Sequence, residues 1–579
     1  MSSKTHVLTR RSAFRAGSAL AGLLAMAALT ACSDSDGDTS EEDGSSDASG
    51  DSDADDDTST SSYDAESEPI ELIDTESLFS DRDLEGTWDE DGAIAVELSD
   101  AGTSTAGSGV DVDGSTITFT AEGVYLLTGS LSDGRLVVEA PDEKIQLVLS
   151  GASVTSSGPA ALYVRDADKV FLTLATNTTN TFTATGASEE EDESTLDGAI
   201  FSKDDLTING EGTLVVSSSQ GHGIVGKDEL TLVSGTLKVE ATEHAIQAND
   251  SIAIAGGTYE LTAGTDGIHA ENEDDTELGY IYVGGGTFNI QASSDGFDAG
   301  YVLQIDDGTI TVAAGDDGIH SEYDLAINGG TISVTSSVEA IEGSTISITG
   351  GSLDLVASDD GLNAAGEPNG SVDAIATRDN PTANETMEYD ETAALLITGG
   401  TIVMDASGDG IDSNGDLMIT GGETYVSGPT DGSNGALDYT GTGVIEGGLI
   451  VAAGSSGMAQ NFGTDSTQAS MLVSANGSSG DTIELADADG NVLASFTSAK
   501  GFGCVVISTP ELEVGEIYTL TVGSSQSEIT LDDTIYTNVS GGFSGGTVLG
   551  NNGGGMGSGM NQIQQMTPNG GYGGGRAGR

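Results

Sequence analysis

The sequence predicts an all-β chain wound as a right-handed parallel β-helix, a solenoid of about 22-residue coils with β-rich caps at both ends. Three observations predict it. A short motif returns at a fixed interval, the residues around it alternate apolar and polar with glycine at the corners, and no stretch carries a helix-length apolar stripe. Composition agrees. The 579 residues include 85 Gly, and Gly inside a helix costs about 1 kcal/mol relative to Ala, which disfavours a helical bundle. Hydrophobic residues make up 36%, too many for wholesale disorder. With 95 Asp+Glu against 16 Lys+Arg and a formal charge of −79, the chain repels phosphate, so nucleic acid is excluded as a partner.

The repeat is anchored at His222, His244, Asp266, Asp295, Asp317, Glu339, Asp360, Asp409 and Asp431, each followed by Gly or Ala and, in all but the last, an apolar residue. Successive spacings are 22, 22, 29, 22, 22, 21, 49 and 22. The 29 holds an acidic loop at residues 272–278, and the 49 holds an insertion at about 365–392. Between anchors, short bursts such as Leu325 and Ile327, then Gly329-Gly330, then Ile332 and Val334, place one face inward and glycine at the corner. Three short strands and three turns fill 22 residues, and parallel crossovers wind right-handed. The calcium-binding nonapeptide roll is excluded because its period-nine run is absent. The β-helix repeats span residues 196–464, after a β-rich N-terminal part at 70–195 and before a β cap at 465–540. In that cap, Asp487 to Gly490 reads as a hairpin turn and residues 517–522 as a strand.

The flanks read differently. Lys4, Arg10, Arg11 and Arg15 precede a short apolar run at 16–31 that ends in Leu29-Thr30-Ala31-Cys32. This resembles a bacterial lipoprotein signal, which implies cleavage before Cys32, lipidation of its thiol, and a chain anchored to the cell envelope facing outside. Its contact with the membrane is then through the lipid alone. Residues 33–69 are an acidic Ser/Asp tether, and 541–579 a Gly-rich tail. With Cys32 lipidated, Cys504 stands alone in an apolar run and reads as a small buried hydrophobe.

Residues at the same repeat position stack in a solenoid. The anchor column holds Asp266, Asp295, Asp317, Glu339, Asp360, Asp409 and Asp431; three residues on stand His269, Asp298, His320, Glu342, Asn363, Asp412 and Asn434. Asp before Gly is also ordinary turn chemistry. Stacked carboxylates nevertheless repel, and clustered hard oxygens without cysteine suit Ca²⁺. The expected metal residues are Asp295 with Asp298, Glu339 with Glu342, Asp409 with Asp412, and Asp360. His269 and His320 lie two repeats apart, which disfavours a zinc site built on that pair. Exposed aromatics for sugar stacking are sparse; Tyr301, Tyr323, Tyr425 and Tyr439 are the candidates, against the alternative that they pack.

Several runs resemble a family of secreted bacterial carbohydrate-binding β-helix proteins. They are GVYLLTG at 123–129, QLVLSG at 146–151, FSKDDLTING at 201–210, GYIYV at 279–283 before GGTF, and DGLNAA at 360–365, together with the ordered Asp-Gly-Ile repeats. The resemblance covers roughly residues 75–540. It implies a pectate-lyase-like fold, calcium, and binding to cellulose or acidic plant polysaccharides without demonstrated cleavage.

From the residues, two functions remain beside non-catalytic polysaccharide binding. A calcium-dependent polysaccharide lyase needs a base of lowered pKa, yet Arg378 is the only basic residue between Lys238 and Lys500. A structural or adhesive surface solenoid needs no site at all. The expectation is a monomeric binding protein in which Ca²⁺ bridges protein and glycan carboxylates.

Overall fold

The computed structural model describes residues 72–191, 194–366, 389–539 and 543–544. The signal segment with Cys32, the tether at 33–69, Arg378 and nearly all of the Gly-rich tail lie outside the described residues. None of the described helices is long and apolar enough to cross a membrane.

The protein is all-β and is dominated by one long, largely parallel sheet, consistent with a β-helix. In the repeats each strand pairs in parallel with the equivalent strand of the next. One ladder runs from Thr213–Ser218 through Thr236–Ala241, Thr258–Ala263, Thr287–Ala292 and Thr309–Ala313 to Thr331–Ser336. Its burial alternates, as in Thr236–Ala241, where Leu237, Val239 and Ala241 are the covered side chains. Register stacks like on like: Leu237 opposite Tyr259, Tyr259 opposite Phe288, and Phe288 opposite Ile310. The Tyr259 and Phe288 rings lie 4.6 Å apart at 8°. A second ladder stacks Ile246, Ile268, Phe297, Ile319, Ile341, Leu362, Ile411 and Leu437, all essentially inaccessible. Truncating one of these isoleucines to Ala is expected to cost about 2–5 kcal/mol, because neighbours fixed in a ladder cannot collapse into the hole.

The corner before each Thr-initiated strand needs a left-handed residue. Gly257 (φ 110°), Gly286 (φ 118°) and Gly400 (φ 83°) occupy that place, which explains the recurring Gly-Gly pairs. Insertions leave at other corners. The loop at 272–278 leaves Ile254 opposite Val283, and the longer insertion leaves Ile348 opposite Ile397. Loops are tolerated at such corners because the ladder pairing resumes in register beyond them.

The ends are antiparallel. Val110–Asp113 and Thr116–Phe119 form a hairpin that joins the parallel ladder through Arg135–Glu139. At the other end Leu449–Gly454 pairs with Phe502–Ser508, and Thr482–Ala486, Val492–Thr497, Ile517–Val522 and Ser525–Thr530 make a separate antiparallel sheet. The turn expected after Asp487 is present, with the Asp487 N–H donating to Asn491 O at 2.9 Å. Cys504 is buried, and burial pushes its thiol up to about 12. It is inert packing, as expected.

Residues 72–85 lie across the outer surface of the sheet. Asp83 meets Lys169 Nζ at 2.9 Å and Thr207 Oγ1 at 2.5 Å, while Gln304 Oε1 accepts the N–H groups of Leu72 and Ile73. Ile73 packs with Tyr280, Tyr282, Tyr301 and Val302. No periodicity announces this strap.

Candidate functional site

The anchor column has a structural task. Its side chains accept the backbone N–H of the same position one repeat on: Asp266 Oδ1 from Asp295 (3.0 Å), Asp295 Oδ1 from Asp317 (2.7 Å), Asp317 Oδ1 from Glu339 (3.2 Å) and Asp360 Oδ1 from Asp409 (2.5 Å). Histidine does the same work earlier, since His222 Nδ1 accepts from His244 N at 3.1 Å. The Gly that follows is forced by closeness: a Cβ on Gly361 would come 2.5 Å from Gly410 O. Asp-Gly therefore marks an inter-repeat clasp as well as a turn.

Asp409 Oδ1 takes the N–H of Gly435 at 2.5 Å, and Asp412 stands opposite Asp438. The expected column members Asp431 and Asn434 are thus displaced. The last spacing is 26 rather than 22, and Asp431 is exposed, holding Ser433 in a local turn.

The second row is the middle residue of each short strand, and its charge balance changes along the molecule. Asp298 is clamped between imidazoles, with Oδ2 2.8 Å from His269 Nδ1 and Oδ1 2.8 Å from His320 Nδ1. Burial opposes the charge on Asp298, but the two histidines win and hold it well below the usual carboxylate range. Burial likewise opposes charge on the rings, yet hydrogen bonds to Asp298 push both His269 and His320 up to about 10. This is an internal ion triad.

Further along, Asn363, Asp412 and Asp438 take these places, without histidine. One oxygen from each of Asp360, Asp409 and Asp412 lies within 4.8 Å of the others. Burial and neighbouring carboxylates push Asp360 up to about 8, Asp409 to about 7 and Asp412 to about 8. Asp317, Glu339 and Glu342 converge in the same way. Burial is the largest cause there, pushing Asp317 up to about 7 against a hydrogen bond to Glu339 that lowers it, and Glu339 up to about 8 with Asp317 adding to the rise.

The expected metal residues are therefore brought together in three groups, but not all as equals. Asp360, Asp409 and Asp412 form one trio, and Glu339 and Glu342 gain Asp317, which spacing placed in the column without singling it out. Asp295 and Asp298 converge with His320, but both oxygens of Asp298 are already bonded to imidazoles. Calcium at that pair would have to displace the imidazoles, and Asp298 serves as the anion of a His–Asp–His bridge.

The tyrosines also need correction. Tyr301 is 2% exposed beneath the 72–79 strap, and Tyr439 is 3% exposed with its hydroxyl donating to Asn461 O. Neither offers a ring face to a sugar. Tyr323 is half-buried with its ring 5.8 Å from Tyr301, and Tyr425 is half-buried, 5.5 Å from Phe496. A polar cleft of about 540 Å³ that sequence reasoning missed lies beside the His-bearing end, lined by Lys227, Gln247, Asp250, His269, Glu271 and Asn272. Only the register, with Gln247 opposite His269, would have pointed to it.

Residues 113–366 match the model of a family described as carbohydrate-binding domain-containing protein. A carbohydrate-binding domain-containing protein of Acetivibrio thermocellus is 32% identical over 136 residues, 23% of this chain and 48% of that protein. The chain thus aligns with about half the length of that relative. A solved structure described as a polysaccharide lyase-like protein from C. thermocellum, a gadolinium derivative, is 30% identical, covers 41% of this chain and 96% of its own, and has a TM-score of 0.38. The resemblance carried by the sequence motifs is shown over residues 113–366, which match the carbohydrate-binding domain family.

Proposed function

We propose that the protein binds polysaccharide without cleaving it, and that Ca²⁺ held by the all-acid repeats bridges it to an acidic, pectin-like glycan. The observation that carries this reading is the Asp360–Asp409–Asp412 trio. Three half-buried carboxylates converge with pKa values lifted to about 7–8, burial being the largest cause for each and neighbouring carboxylates adding to it. Such a group is stable either protonated or around a cation. The donors are hard oxygens, which fit Ca²⁺ and its need for about six to eight oxygen ligands. Asp360 and Asp409 each use one oxygen in the inter-repeat clasp, leaving the other for metal. Gly408 keeps the site open, since a Cβ there would overlap the Asp359 and Asp360 carboxylates. Protein oxygens would not complete the coordination shell, so glycan carboxylates and water fill it. A chain with a formal charge of −79 needs such a bridge to approach a polyuronate.

The 22-residue registers support winding of the sheet into a right-handed solenoid, so that successive sites form a ridge matched to an extended glycan. The lipobox at Cys32 supports anchoring on the outer face of the cell envelope. The lyase reading draws on one observation, the cleft holding Lys227 and an Asp298-backed His269.

Calorimetry of the purified protein titrated with polygalacturonate, with and without Ca²⁺, tests both readings if the samples are also read for ultraviolet absorbance of unsaturated products. Calcium-dependent heat without absorbance supports bridged binding, and rising absorbance makes the protein a lyase. No heat in either buffer, with heat from cellulose oligomers, leaves binding but removes the bridge. No heat with any glycan leaves a structural or adhesive solenoid.

A further inference from the structure

We propose that the cleft at Trp88 is a subsite for a neutral hexose unit of a glycan chain, separate from the carboxylate trios. The proposal rests on the polysaccharide-binding reading and adds to it a second ligand class with its own site. The cleft holds about 420 Å³ and is lined by Trp88 and Phe171, by Asp81, Glu85 and Asp89, and by Arg82. Trp88 is the single tryptophan of the chain, and it stands before both the 22-residue repeats and the residues 113–366 that match the family. With Tyr301 and Tyr439 buried, the glycan reading takes its stacking ring from here.

The sheet holds the cleft in shape before any ligand arrives, which lowers the ordering cost of binding. Gln146 Nε2 donates to Thr87 O at 3.1 Å and Asn209 Nδ2 to Asp83 O at 3.0 Å, so the backbone leading into Trp88 is pinned. Gly86 lies flat on the repeats, since a Cβ there would come 2.8 Å from Gly210 N. Phe171 is buried, with the Arg82 guanidinium carbon 4.3 Å from its ring centroid. Trp88 is different. Its side chain is half-buried, and its indole Nε1 is buried with no hydrogen-bond partner among the described residues. A buried donor left unpaired is unfavourable, and a ligand oxygen would satisfy it. No hydrogen bond fixes the indole, so a small turn of the ring carries its N–H to such an oxygen. A sugar ring answers the whole lining: its C–H face covers the indole, one hydroxyl accepts from Nε1, and others donate to Asp81, Glu85 or Asp89. Three carboxylates against one guanidinium repel a uronate. An ammonium would suit the carboxylates but carries no lone pair for the indole N–H. The ligand is therefore neutral and rich in hydroxyls.

The test is tryptophan fluorescence of the purified protein in chelator, titrated with a soluble neutral β-glucan oligosaccharide and, separately, with an oligogalacturonate. Because Trp88 is the single tryptophan, its emission reports on this cleft alone. The expected result is a saturable change with the glucan, none with the oligogalacturonate, and the same glucan curve when Ca²⁺ is restored. By calorimetry Trp88→Ala should weaken glucan binding by more than about tenfold. Trp88→Phe, which keeps a ring and loses the N–H, should weaken it by about fivefold, while Asp412→Asn leaves it unchanged. Glucan heat with unchanged Trp88 emission, or with wild-type affinity in Trp88→Ala, overturns this site and leaves polysaccharide binding standing. A response to the oligogalacturonate in chelator overturns the neutral ligand class. No heat from any glycan, with or without Ca²⁺, overturns the site together with the reading it rests on. The wild-type emission decides even if a Trp88 variant fails to fold.

Discussion

The repeats from Asp266 to His320 and those from Asp360 to Asp438 share one parallel ladder but balance their charge in opposite ways. In the first, His269 and His320 flank Asp298 and the protein supplies its own cations. In the second, Asn363, Asp412 and Asp438 take the same places and no imidazole faces Asp360 or Asp409. The β ladder tolerates either, because these side chains lie beside the core stack and leave the Ile–Leu ladder unchanged. Exchanging a few residues on a fixed repeat thus turns an internal ion bridge into a cluster of converging carboxylates.

The largest expected effect breaks the first region. Asp298→Asn removes the anion between two buried imidazoles, and losing one partner of a buried charge network costs about 3–5 kcal/mol. Denaturant unfolding should show a lower midpoint, and an unchanged midpoint would mean the triad contributes nothing. The second region should respond to pH in the opposite sense from an ordinary paired carboxylate. Asp360, Asp409 and Asp412 have folded-state pKa values of about 7–8 against about 4 unfolded, so the folded state holds more protons between those limits. In chelator, stability should therefore fall as pH rises from about 4 to about 8, and Ca²⁺ should restore it. The size is on the order of 5 °C in melting temperature. A chelated protein whose melting point is flat across that range would contradict the account.

Asp412→Asn should be milder and of opposite sign to Asp298→Asn. It relieves repulsion, so the chelated protein gains about 1 kcal/mol while calcium affinity drops. Calcium titration of the variant checks the second half of that statement. Asp431→Asn is the smallest effect, within about 0.5 kcal/mol and without change in calcium affinity, because Asp431 is exposed and outside the column. A large effect there would restore the 22-residue alignment over the 26-residue one.

Much of this was legible because the repeat is written in residues with one job each. Asp-Gly-Ile names the clasp, the close approach and the core stack in turn, so the period and the convergence of Asp360, Asp409 and Asp412 could be read before any coordinates. The final register was not, since four extra residues before Gly435 let Asp431 imitate the anchor. Tyr301 was misread because its cover comes from residues 72–79, more than 220 positions away and aperiodic. The role of Asp298 was hidden for a different reason. Spacing shows which residues are neighbours, but only geometry shows that both carboxylate oxygens are already taken.

The most direct test of the central claim is anomalous diffraction from crystals of the protein grown with Ca²⁺. The account predicts an ion at roughly 2.3–2.6 Å from oxygens of Asp360, Asp409 and Asp412, and none between Asp298 and its histidines. An empty acid trio, or calcium seated on Asp298, would contradict it.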